Sequence, residues 1–155
     1  MRNSFALAFA GLLSTAALAQ ETDEHVFTAG ALTIEHPWVR AAQAGADTLA
    51  FAEFINTGPA DTLLSVAAPV AAAAEIVGLT LEGGVIGTVA VGPVEIPTGA
   101  FSFDPGGLGL MLHGVAEALA VGTEIELTLS FAIAGEVTIH VLVEPANAMA
   151  HSHAH

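Results

Sequence analysis

Thr123-Glu124-Ile125-Glu126-Leu127-Thr128-Leu129-Ser130-Phe131 is the stretch that decides the fold class. Ile125, Leu127, Leu129 and Phe131 fall on one side of an extended chain, and Glu124, Glu126, Thr128 and Ser130 on the other. That two-residue period belongs to a strand with one core face and one wet face. Ala134-Gly135 then reads as a turn, and Ile139, Val141 and Val143 alternate with His140, so a second long strand returns over 136–143. Working outward, further strands are expected at 32–35, 38–41, 50–56, 62–67, 75–81, 85–91, 101–103 and 109–113. Gly83-Gly84 is a two-residue hairpin loop, and Asn56-Thr57-Gly58-Pro59 closes another strand. Helical periodicity is hard to find, and the Ala-rich run 67–74 is left as either a short helical turn or a crossover. The spacing predicts an all-β, antiparallel β-sandwich.

The ends of the chain read differently. Met1-Arg2-Asn3, the apolar run from Phe5 to Leu13 and Ala17-Leu18-Ala19 form a secretory signal, with cleavage expected after Ala19. Residues 20–30 are an N-terminal leader, 31–145 the domain and 146–155 a flexible His-rich tail. A periplasmic monomer without membrane insertion after cleavage is expected, because the apolar run is too short to span a bilayer. The absence of cysteine excludes disulfides and thiolate metal sites. Sixteen acidic residues face two basic ones, Arg2 and Arg40. Such a field repels nucleic acid and attracts cations or a basic exported partner, and it also keeps a chain that is 54% hydrophobic in solution.

The order of motifs resembles the periplasmic copper chaperones known as PCuAC. His36-Pro37-Trp38-Val39-Arg40, Phe54-Ile55-Asn56-Thr57-Gly58, Glu95-Ile96-Pro97-Thr98-Gly99, Asp104-Pro105-Gly106-Gly107, Leu110-Met111-Leu112 and Leu127-Thr128-Leu129-Ser130-Phe131 carry the resemblance. It implies a cupredoxin-like (immunoglobulin-like) sandwich that carries copper on His and Met and delivers it toward cytochrome oxidase assembly, to a copper-accepting protein. In that family a His and Met pair lies on the hairpin corresponding to 75–88, and a His-x-Met follows the Pro-Gly-Gly turn. Here the hairpin has neither residue, Gly109 stands where the second His would be, and Met111 alone matches a ligand.

Two places offer copper donors. Met111 and His113 leave one face of a predicted strand and could touch one ion, although a thioether filling a core gap and a polar residue at a strand end are the simpler explanation of them. Met149, His151, His153 and His155 put a thioether and three imidazoles within seven residues, enough to wrap Cu(I) or Cu(II). His140 is read as solvent-facing, and His25 carries no pattern. No nucleophile with a base, no paired acid and base and no phosphate-cradling loop is found, and Glu95 and Asp104 read as surface and turn residues, so the protein is not expected to be an enzyme. Two functions remain: an exported copper-binding, chaperone-like protein, or a metal-free acidic interaction module on the same fold.

Overall fold

A computed structural model describes residues 25–151. The expected signal peptide with its cleavage site, the first residues of the leader, and His153 and His155 of the tail lie outside the described residues. Eleven strands follow in order: β1 Val26–Ala29, β2 Leu32–Arg40, β3 Thr48–Asn56, β4 Asp61–Ala67, β5 Ala71–Glu82, β6 Val85–Ala90, β7 Val94–Ile96, β8 Gly99–Phe103, β9 Leu108–Val115, β10 Glu124–Phe131 and β11 Gly135–Glu144. There is no helix among the described residues, and so none long and apolar enough to cross a membrane.

The strands hydrogen-bond in the order β6-β5-β9-β3-β2-β11-β10-β4-β7, with β1 on β2 and β8 on β3. The alternation that predicts β10 is the alternation observed: Leu127, Leu129 and Phe131 are buried, while Glu124 and Glu126 are exposed. Their buried faces join Ile34, Phe54, Leu110, Leu112, Ile139 and Val141 in one core, so the sheet curls over until its apolar faces meet as two layers. Gly83 and Gly84 both take positive φ, 59° and 81°, and connect Glu82 directly to Val85. That backbone twist is open to glycine without steric cost.

Two features differ from the simplest reading. Ala71 to Ala74 is neither helical nor a loose crossover; it opens β5, paired to β9 through Ala71 with Val115 and Ala74 with Leu112. Alanine has little strand preference of its own, and the partner strand decides the matter. Secondly, β11 runs parallel to β2, with Leu142 beside Trp38, Val143 beside Val39 and Glu144 beside Arg40, whereas the other strand pairs are antiparallel. That pairing carries the C-terminal end of the domain along the end of β2.

Strand β2 is itself broken. Its register against β3 slips between Glu35 and Trp38, and His36 sits there at φ 48°. Pro37 has no N–H to give a ladder, which suits a bulge, and bulges re-aim the side chains they carry. At the far end of the core, buried Asp61 closes the β10–β11 turn: Oδ1 accepts from the amides of Thr62 at 2.7 Å and Ile133 at 2.8 Å, and Oδ2 from Ala134 at 2.8 Å. Burial opposes its charge, but the amides of Ala134, Ile133 and Thr62 outweigh that and lower its pKa.

Candidate metal centre

Met111 and His113 stand on the same face of β9, as expected, but in different company. Met111 lies opposite Leu49 of β3 and Glu75 of β5 and packs on a second apolar cluster formed by Trp38, Leu49, Phe51 and Val77. Trp38 and Phe51 have ring centres 4.7 Å apart. Gly109 faces the same cluster: a Cβ there would meet Phe51 Cε1 at 3.2 Å and Leu49 Cδ2 at 3.3 Å. Aromatic and aliphatic groups thus occupy the space that an imidazole at position 109 would need.

His113 is held by two carboxylates. Its Nε2 lies 2.8 Å from Glu75 Oε1 and its Nδ1 3.3 Å from Asp47 Oδ2, with the Gly114 amide donating to Asp47 Oδ1 at 2.9 Å. Glu75 first, then Asp47, raise the pKa of His113; the Gly114 amide first, then His113, lower that of Asp47. The two ring nitrogens face opposite ways, so Asp47 and Glu75 cannot converge with the ring on one point. An ion at either nitrogen has to displace a carboxylate and compete with a proton.

The C-terminal segment follows a definite course up to His151. Ala148 packs against the Trp38 cluster and donates to Pro145 O at 2.9 Å. Arg40 Nε donates to Ala148 O at 3.0 Å, and its Nη2 reaches Met149 Sδ at 3.5 Å while the guanidinium lies 5.5 Å from the Phe51 ring centre. His151 is thereby set on the β2 bulge, its ring stacked on His36 with centroids 5.5 Å apart and meeting His25 edge-on at 5.5 Å. Its Nδ1 lies 3.4 Å from Oε1 of Glu144, a carboxylate only 3% exposed. His36, Trp38, Glu53, Asp104, Met149 and His151 line a pocket of about 130 Å³. As they stand, no three His, Asp or Glu side chains among the described residues are grouped so as to hold an ion.

The structure therefore brings Met149 and His151 together with His36, packs Met111 on the Trp38 cluster that Ala148 also covers, and holds His113 between Asp47 and Glu75. Sequence reasoning passed over His25, His36 and Glu144 as site residues. The signal for His36 was present, since a His-Pro inside a strand pattern marks a bulge. His25 is brought in by the backbone, whose carbonyl accepts from the His36 amide at 2.8 Å.

The chain belongs to the PCuAC class, a family of copper-chaperone-type domains, and the likeness to solved members is what shows it. Over 78% of its length the chain superposes on 99% of the copper-free PCuAC domain of PmoF1, with 31% identity and a TM-score of 0.67. The copper-bound PCuAC domain of PmoF2 matches at 27% identity and a TM-score of 0.65, covering 78% of this chain and 98% of that one. The Cu(I) form of DR1885 from Deinococcus radiodurans shares the fold at 23% identity and a TM-score of 0.53, over 73% of this chain and 78% of that one. More particularly, the chain belongs to the LpqE-like family, described as "Putative lipoprotein LpqE-like", whose model matches residues 32–143. No curated protein is significantly similar to it.

Proposed function

We propose that this protein binds copper outside the cytoplasm and passes it on as a chaperone in the periplasm, with the C-terminal segment, not the β9 strand, as its point of capture. The observation that carries this reading is the placement of Met149 and His151 on the β2 bulge, beside Trp38, while Phe51 and Leu49 close the position of the missing strand ligand. Copper-bound relatives of the same fold support the cargo. Soft Cu(I) suits the thioether of Met149 with imidazole, and Cu(II) suits imidazole with carboxylate. His153 and His155 extend the same donor set, and the strongly acidic surface draws cations in. The recipient is a copper-accepting exported protein, with cytochrome oxidase assembly the destination that the family suggests.

Titration of the chain with Cu(I) and Cu(II), repeated after removal of the residues beyond Pro145 and for Met111→Leu, tests the assignment. The truncation is expected to abolish uptake and Met111→Leu to leave it intact; the reverse pattern returns the site to β9. Because imidazole must be neutral to ligate, Cu(II) held this way is released as pH falls through about 6.5. A metal-free interaction module is the second reading. It is favoured by the β5–β6 hairpin, which exposes Leu81, Val85, Ile86 and Val89, and it predicts no uptake of either ion.

A further inference from the structure

We propose that His25 and His36 complete, with His151, a three-imidazole site for Cu(II) that ties the β2 bulge and the chain before β1 to the carboxy-terminal segment. The inference rests on the copper reading of the tail and goes beyond it by assigning two ligands far from the tail in sequence.

Three observations place the ligands. Both ring pairs, His25 with His151 and His36 with His151, have centroids 5.5 Å apart. Two imidazoles sharing one ion at about 2.0–2.1 Å from each nitrogen have centroids about 5 Å apart, so the separation already fits to within a fraction of an ångström. The proposed site requires the rings to turn their nitrogens onto one ion, a side-chain rotation. Next, His36 holds a left-handed backbone, φ 48°, inside a strand, a conformation that persists only when its surroundings impose it and that clusters at binding sites. Finally, His25 Nδ1 is buried with no hydrogen-bond partner among the described residues, the state of a donor atom awaiting a ligand. Glu144 places a buried carboxylate 3.4 Å from His151 Nδ1, where it favours a cation. Imidazole with carboxylate selects Cu(II) over Cu(I), and Zn(II) is the chemically closest competitor.

Trp38 provides the readout. It is the sole tryptophan, there is no tyrosine, and it lines the same pocket as His36 and His151. Cu(II) bound to the full chain is expected to quench its fluorescence at one equivalent and to show nitrogen hyperfine structure from several imidazoles in its EPR spectrum. His25→Gln and His36→Asn should each weaken binding at least tenfold and reduce the nitrogen count; Asn is used at 36 because it accepts positive φ. His140→Gln, on an exposed face of β11, should change nothing. Wild-type affinity and nitrogen count in both His25→Gln and His36→Asn overturn this site. If truncation after Pro145 still abolishes uptake in that case, the copper reading survives it. Zn(II) uptake that depends on His25 and His36, in a chain that takes up no copper, overturns both the Cu(II) assignment and the copper reading. A full chain that takes up neither ion overturns both.

Discussion

Replacing Arg40 by methionine should release the carboxy-terminal segment while leaving the sandwich folded. The long aliphatic stem is retained, so what is lost is the Nε donor to Ala148 O at 3.0 Å, the weak contact with Met149 Sδ and the approach to the Phe51 face. A hydrogen bond from a charged donor contributes about 1.5–3 kcal/mol and an exposed cation–π contact about 0.5–1 kcal/mol, against which stands the desolvation of a half-buried guanidinium. A net loss of about 2 kcal/mol lowers the ratio of docked to undocked segment about thirtyfold. The Ala148 amide, bonded to Pro145 O, reports this directly: its hydrogen exchange should speed up by nearly that factor where the docked form predominates and by about twofold where docked and undocked segments are near balance, while the amides of the β10–β11 ladder keep their protection. Trp38 is 5% exposed and covered in part by Ala148, so acrylamide should quench it more in the variant. Unchanged exchange at Ala148 with unchanged quenching refutes the assignment of Arg40 as the anchor. A uniform rise across β10 and β11 shows instead that Arg40 supports the whole fold.

Asp61→Ala leaves three amides without their acceptor and should cost about 3 kcal/mol, read as a lowered denaturant midpoint. Since the folded-state pKa of Asp61 is depressed, its contribution is present above the unfolded value and is lost as pH falls through the folded value; the variant should lose that acid-side slope. His113 behaves oppositely: its pKa is raised, so its contribution is complete below about 6.5 and disappears as pH rises through the folded value. His113→Gln should therefore flatten the stability profile on the neutral to alkaline side, and an unaltered profile contradicts the Glu75 and Asp47 contacts. Gly109→His, which supplies the imidazole that the resemblance implies at this position, should destabilise by about 1–3 kcal/mol through collision with Phe51 and Leu49 without raising copper affinity. A gain in affinity there would show that the apolar cluster yields.

Much of the fold is legible in the chain because β10 and β11 alternate cleanly and Gly83-Gly84 supplies the positive φ that a two-residue hairpin turn needs. The opening of β5 is not, since Ala71 to Ala74 acquire their strand character only from β9. Strand β1, inside the segment read as a leader, is four residues long and owes its order to pairing with β2. The donors of the tail are visible in sequence as donors, but their companions are not. His25, His36 and His151 meet because β11 runs parallel to β2 and because a bulge turns His36 out of the strand, and neither is written in local periodicity. Met111 shows the converse: its position matches a ligand in sequence, and only Trp38, Phe51 and Leu49 in space show what surrounds it.

A metal site on one strand is present whenever the strand is folded, whereas a site that uses a chain end exists only while that end is docked. The apparent affinity of such a site is the intrinsic affinity scaled by the docked fraction. Copper affinity in Arg40→Met therefore measures docking in the parent chain. If docked segments outnumber undocked ones by about a hundred, a thirtyfold loss still leaves about three-quarters docked, and affinity hardly moves. If the two are near balance, apparent affinity falls about fifteenfold, and bound copper in turn becomes the clamp that holds the end down. In that second regime Arg40 and the ion do the same work on the same segment. The increase in Ala148 exchange caused by Arg40→Met should then be reversed by Cu(II), and persistence of fast exchange in the copper-loaded variant would separate the metal from the docked segment altogether.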